Sequence, residues 1–242
     1  MNGIAAIAFD LDGTLVDSAP DIAHALNTAL AEAQMPPFDL QRVRPWIGDG
    51  PDALIQRALA AHGHDAAPEA LRAQLRAAFD VATLSAPLDH GNVFDGIAAM
   101  LERLAAAMPL VVVTNKPTAL ARAVLAAARL LPYLSAVHGA DAPAQRKPSP
   151  LLLQDAARRL GLGPLSLLMV GDGPADVSAA RAAGCPAALV AWGYASHAVE
   201  HDDDPRLWRV PTPEHLLRSL GCDATNPRTI RRLTCSSEAE PR

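Results

Sequence analysis

With 242 residues, half of them apolar and only 4% aromatic, the chain has enough material for one large domain or two smaller ones. Its 21 basic against 26 acidic side chains give a formal charge of −5 with no dense Lys/Arg patch, which argues against nucleic acid as a partner. The cysteines Cys185, Cys222 and Cys235 form no CxxC pair or metal-ligand spacing, and neither a signal peptide nor a bilayer-spanning run of roughly 20 apolar residues is present. Reduced thiols, a cytoplasmic location and no membrane partner are therefore expected.

In chain order, Ile4 to Phe9 is an apolar run long enough for one buried strand, and Asp10-Leu11-Asp12-Gly13-Thr14 follows it. Residues two apart on an extended chain project to one side, so Asp10 and Asp12 can face a common site. Two carboxylates that close repel, and a divalent cation is the usual remedy. Ser18-Ala19-Pro20-Asp21 reads as a helix start, with Ser18 as N-cap and Asp21 as an acidic residue of the first turn. Helical spacing continues from Ile22 to Ala33, and Met35-Pro36-Pro37 ends it. Asp39 to Ile47 is helical but broken at Pro45, the tight loop Gly48-Asp49-Gly50 follows, and Asp52–His62 and Pro68–Leu84 supply two more helices. Residues 18–87 thus read as a small helical domain without a strand, inserted after the first strand.

The pattern then changes. Asp95–Ala107, Pro117–Ala128, Ser149–Leu160, Pro174–Ala183 and Pro213–Leu220 read as helices. Between them lie apolar runs at Pro109–Val113, Ala136–Gly139, Leu165–Val170, Ala187–Ala191 and Trp208–Val210. Alternation of this kind predicts an α/β fold, a Rossmann-like doubly wound parallel sheet, built from residues 1–17 and 88–222. From residue 223 the chain is polar and aperiodic, and a flexible tail over 223–242 is expected.

Open α/β sheets bind ligands beyond the carboxyl ends of their strands. The polar residues there are Asp10 and Asp12, Thr114 and Asn115, and Gly171 and Asp172, while the prolines around Lys147 give that residue a defined path. Two carboxylates, a hydroxyl with an amide, a third carboxylate and a lysine in one crevice would suit phosphoryl transfer.

The segments Asp10-Leu-Asp-Gly-Thr, Thr114-Asn115, Lys147-Pro148 and Gly171-Asp172-Gly-Pro-Ala-Asp176 resemble the four signature motifs of the haloacid dehalogenase superfamily, in the right order. Phe9 to Pro20, Trp46 to Gly50, Val113 to Thr118 and Ala182 to Pro186 are similar to its phosphoglycolate phosphatase-like members. The resemblance spans roughly residues 4 to 220 and implies that the helical insert is an all-helical cap. Asp10 would be the nucleophile, forming an aspartyl-phosphate, and Asp12 the acid and base. Mg²⁺ would bind the Asp10 carboxylate, the Asp12 backbone carbonyl and Asp172, with Asp176 behind them orienting Asp172 or a bound water. Thr114, Asn115 and Lys147 would hold the phosphoryl oxygens, and Gly48, Asp49 and Gly50 would form the loop that selects the substrate.

Two positions depart from the pattern: Gly173 stands where many relatives carry Ser, and Asp95 where they often carry Pro. A small phosphorylated metabolite is the expected partner, of a monomer or homodimer, with 2-phosphoglycolate first. A sugar phosphate such as N-acetylmuramic acid 6-phosphate, or a phosphosugar mutase reaction, remains open. A silent phosphate-binding module should have lost Asp10, Asp12, Lys147 or Asp172, and all four are present.

Overall fold

In the computed structural model, residues 3–195, 204 and 206–222 are described. The strands are β1 (Ala6–Phe9), β2 (Val16–Asp17), β3 (Asn92–Val93), β4 (Leu110–Thr114), β5 (Ala136–Gly139), β6 (Leu167–Gly171), β7 (Ala187–Val190) and β8 (Leu207–Val210). The helices are α1 (Ala19–Glu32), α2 (Leu40–Val43), α3 (Pro51–Ala61), α4 (Glu69–Ser85), α5 (Ile97–Ala105), α6 (Thr118–Ala127), α7 (Leu151–Arg159), α8 (Pro174–Ala183) and α9 (Pro213–Ser219).

Six strands form one parallel sheet in the order β5-β4-β1-β6-β7-β8. The strands are apolar on both faces, as a sheet covered on both sides requires. Ile7, Phe9, Leu110, Val112, Leu168 and Val170 pack with α5, α6 and α9, while their neighbours Ala6, Ala8, Val111, Val113, Leu167 and Met169 pack with α7 and α8. Alternate side chains thus feed two helical layers, the doubly wound arrangement expected. From β1 the chain crosses to β4 on one side and later to β6 on the other. The carboxyl ends of β1, β4 and β6 therefore lie side by side at the point where the winding reverses.

Helices α1, α3 and α4, with Val43 of α2, enclose a third apolar cluster that includes Leu26, Leu30, Ile55, Leu75 and Phe79. Leu120 of α6 reaches into it from the sheet side. The chain enters and leaves this helical unit through a feature that the sequence did not predict, the antiparallel pair β2–β3, in which Val16 faces Val93 and Asp17 faces Asn92. Two-residue strands carry too little alternation to be read.

Some helix starts also differ. Helix α5 begins at Ile97 and not at Asp95, because Gly96 sits at φ +79°. Ser18 does not cap α1: its hydroxyl donates instead to Asp12 Oδ1. Asp21 is more than a first-turn charge, since its buried carboxylate accepts the backbone N–H groups of Asp89, His90 and Gly91. No helix among the described residues is long and apolar enough to cross a membrane. The predicted tail from residue 223, with Cys235, lies outside the described residues.

Candidate active site

The central strand delivers Asp10 to the site with a fixed backbone. Its N–H donates to Val170 O at 2.8 Å, extending the β1–β6 ladder one residue past the strand. Gly13, at φ +83°, then turns the chain, and a Cβ there would stand 2.7 Å from Asp172 Oδ2. Gly193 is under the same constraint from the other side, where a Cβ would meet Asp172 Cβ at 2.1 Å. Glycine at both positions lets two loops close on one buried carboxylate.

Asp172 follows β6. Its Oδ2 accepts the N–H groups of Tyr194 at 2.7 Å and Ala195 at 3.3 Å, and Thr14 Oγ1 approaches Oδ1 at 3.4 Å. Asp176, in the first turn of α8, accepts from Gly173 N at 3.1 Å and from Lys147 Nζ at 2.6 Å. Lys147 completes its donor set on Val113 O at 3.2 Å and lies 2.8 Å from Asp10 Oδ1. That contact is close enough for an ion pair but is not aligned as a hydrogen bond, so Asp10 Oδ1 is a buried oxygen without a hydrogen-bond partner.

The electrostatics follow from burial and crowding. Burial pushes Asp10 up to about 6 against the pull of Lys147, with Asp176 adding to the rise. Asp172 is pushed up to about 7 by burial and then by Asp176 and Asp10. Burial works against the Lys147 ammonium, but Asp10 and Asp176 outweigh it and hold the group well above the usual lysine range. Asp10, Asp12, Asp172 and Asp176 face two buried lysines, Lys116 and Lys147; fully ionised, four negative against two positive charges leave two negative charges over. Ligand oxygens of Asp10, Asp172 and Asp176 lie within 4.8 Å of one another. A hard, all-oxygen set with a surplus of two negative charges and an orphaned oxygen fits a divalent cation.

The sequence-predicted residues do converge here, with some roles redistributed. Asp12 turns its carboxylate away from that oxygen cluster, toward Ser18 and Lys116, with Lys116 Nζ at 2.7 Å. Its carboxylate is not part of that cluster. Asp176 is the anion that holds Lys147 as well as a member of the oxygen cluster. The Asn115 side chain is fully occupied by protein: Nδ2 donates to Gly48 O at 2.9 Å and Lys147 O at 3.2 Å, and Oδ1 accepts from Lys147 N at 2.6 Å. It cannot also hold a phosphoryl oxygen through that amide, and its role is to fasten the helical unit's loop to the lysine segment. Thr114 is buried at the end of β4, its hydroxyl 3.3 Å from Lys116 N.

Gly48, Asp49 and Gly50 sit over the site as expected. Gly50, at φ +86°, is pressed so close that a Cβ would be 2.9 Å from Asn115 O. Asp49 pairs with Arg57 and, with Gly48, lines a cavity of about 230 Å³ shared with Asp10, Lys147 and Asp172. Asp52 and Arg146 add a second bridge between the helical unit and the sheet side, and Arg76 joins Asp52 from α4. Gly173 borders the cavity, and a Cβ there would lie 3.6 Å from Ala195 Cβ and 3.9 Å from Asp176 Oδ2, ordinary contact distances that leave room for a small side chain.

Three residues of the site escaped the sequence reading. Lys116 lies inside the Val113 to Thr118 run but had no role there, and it is buried against Asp12. Tyr194 lays its N–H on Asp172 and its hydroxyl on Asp17 at 2.7 Å. Trp192 donates to Thr14 O at 3.0 Å. Only Lys116 carried a sequence signal, its place beside Thr114 and Asn115.

Comparison with known proteins agrees with this geometry. Residues 4–184 match the pattern of the haloacid dehalogenase-like hydrolases. The chain is 40% identical over 193 residues to the phosphoglycolate phosphatase of Chromobacterium violaceum, covering 79% of this chain and 87% of that protein. Its match to the phosphoglycolate phosphatase of Rhodospirillum rubrum is 42% identical over 199 residues, 80% of this chain and 82% of the other. Among solved structures, one described as a predicted phosphoglycolate phosphatase from Haemophilus somnus superposes with a TM-score of 0.81 at 30% identity, covering 91% of this chain and 99% of that one.

Proposed function

The chain belongs to the haloacid dehalogenase-like hydrolases, and on that premise we propose that it is a Mg²⁺-dependent phosphatase cleaving 2-phosphoglycolate to glycolate and phosphate. The observation that carries this reading is the buried Asp10 carboxylate, held 2.8 Å from Lys147 with one oxygen free of hydrogen bonds, in a cavity of about 230 Å³.

Asp10 is the nucleophile in this reading. The Lys147 ammonium keeps it anionic despite burial and places positive charge where the phosphoryl oxygens gather. Asp10, Asp172 and the Asp12 carbonyl would hold Mg²⁺, which would supply charge neutralisation on the phosphoryl group. Asp176 holds Lys147 and adds to the same negative field. Asp12, oriented by Ser18 and Lys116, gives a proton to the departing alkoxide and takes one from the water that follows. Thr114 and the backbone N–H groups beyond Leu11 and around Asn115 receive the phosphoryl oxygens.

Residues 18–87 act as the cap over a core of 1–17 and 88–222, joined to it through the β2–β3 pair. With Ile22, Leu54 and Phe79 of the helical unit and Leu120 of the core around it, a second cavity of about 30 Å³ lies next to Asp12, room for roughly two water molecules. The short two-carbon frame of glycolate can reach from Asp12 into that space. The test is phosphate release from 2-phosphoglycolate and a panel of sugar phosphates, with Mg²⁺ and with EDTA. A clear preference for 2-phosphoglycolate, abolished by chelation, is expected. Turnover of sugar phosphates at equal efficiency would remove the substrate assignment.

A further inference from the structure

Resting on the phosphatase reading above, we propose that Lys116 sets the substrate class. Its ammonium binds a carboxylate borne on the same carbon as the phosphoester oxygen, so the enzyme selects phosphorylated 2-hydroxy carboxylic acids.

Lysine is seldom fully buried without a partner, yet Lys116 is only 6% exposed. Its partner is Asp12 Oδ1 at 2.7 Å, and among the described residues no other acceptor meets Nζ. An ammonium has three donors, so two remain for a ligand. The cavity that Lys116 lines has an apolar wall of Ile22, Ile47, Leu54, Phe79 and Leu120 and a polar floor that includes Asp10, Asp12, Thr114 and Asn115. Beside that apolar wall the ammonium is poorly solvated, and its two remaining donors offset the repulsion that an incoming carboxylate meets from Asp10 and Asp12. The cavity's size, about 30 Å³, admits a group of a few atoms such as a carboxylate.

The spacing agrees. The acid that serves the ester oxygen is the carboxylate that Lys116 touches, so ester oxygen and ammonium are neighbours of one group. In a phosphorylated 2-hydroxy acid, the ester oxygen and the carboxylate oxygens lie about 3 Å apart, one hydrogen-bond length. One carbon therefore bridges Asp12 and Lys116. The bland reading is that Lys116 only balances the charge of Asp12. Removing it would then slow every phosphate ester by the same factor.

The two readings part in a comparison of esters. Wild type, Lys116→Met and Lys116→Arg are assayed with Mg²⁺ on 2-phosphoglycolate and on ethyl phosphate, which has the same length but no carboxylate. A hydrogen-bonded charge pair corresponds to a wild-type preference in kcat/KM of about 10- to 150-fold for 2-phosphoglycolate. Lys116→Met is expected to reduce that preference to within about threefold, mainly through KM, and Lys116→Arg to retain most of it. A preference in Lys116→Met equal to that of wild type overturns the proposal, whatever the absolute rates. Should the variants fail to fold, glycolate and ethanol are compared as inhibitors of wild-type ethyl phosphate hydrolysis. Inhibition by glycolate alone supports the proposal, and equal effects overturn it. Wild type releasing phosphate from neither ester would instead remove the phosphatase reading beneath it.

Discussion

Asp21→Ala is expected to destabilise the protein strongly although Asp21 touches none of the reacting groups. Its carboxylate accepts three backbone N–H groups, from Asp89 at 2.7 Å, His90 at 2.8 Å and Gly91 at 2.8 Å. These bonds clamp the first turn of α1 to the segment returning from the helical unit. Close packing reinforces the clamp, since a Cβ on Gly91 would lie 2.1 Å from Asp17 O and 2.6 Å from Asp21 Oδ2. A hydrogen bond to a charged acceptor contributes about 1.5–3 kcal/mol, but Asp89 and His90 are exposed and water can replace part of theirs. Taking about 1 kcal/mol for each gives a loss of roughly 3 kcal/mol, or about 6–12 °C in Tm for a chain this long. Asp21→Asn preserves the shape and one acceptor oxygen, so roughly half that loss is expected. Urea unfolding followed by far-UV circular dichroism, with m compared between variants, reads both values. A loss below about 1 kcal/mol for Asp21→Ala would refute the clamp.

The pH dependence of cation binding follows from the raised carboxylates. Asp10 at about 6 and Asp172 at about 7 keep protons that the unfolded chain releases near 3.8. Stability from these groups in the cation-free protein therefore falls as pH rises from about 4 to 7. A cation needs the ionised forms, so the Tm gain on adding Mg²⁺ should be small at about pH 5.5, grow to about pH 8, and flatten in Asp172→Asn; a gain independent of pH contradicts this. Gly50→Ala places a Cβ at φ +86° and 2.9 Å from Asn115 O, whereas Gly63→Ala at φ +79° meets open space. Both should cost about 1–2 kcal/mol in unfolding, but only Gly50→Ala should also raise KM, by lifting the loop off Asn115. Equal kinetics in the two variants would show that the loop contact does not matter.

The sheet was legible because its strands are short apolar runs buried on both faces, and the site because Asp10, Thr114, Lys147 and Asp172 stand just past such runs or beside prolines. What escaped depends on contacts that no local pattern carries. The β2–β3 pair has two residues on each side. Asp21 looks like any first-turn acid until the chain returns to it, 68 residues later. Asn115 and Lys116 follow one another after β4, and nothing in their order says which serves protein and which the cavity. The backbone path decides it: Asn115 bonds to Gly48 and Lys147, while Lys116 pairs with Asp12 and lines the cavity. Tyr194 and Trp192 reach the site from the loop after β7, which reads as ordinary surface.

The central claim is that Asp10 carries the phosphoryl group. Wild type and Asp10→Asn are mixed with 2-phosphoglycolate and Mg²⁺, quenched in acid within one turnover, and digested for peptide mass spectrometry. The expected result is one phosphoryl adduct on the peptide containing Asp10, absent from Asp10→Asn together with phosphate release. An adduct on another residue, or turnover persisting in Asp10→Asn, would contradict the account.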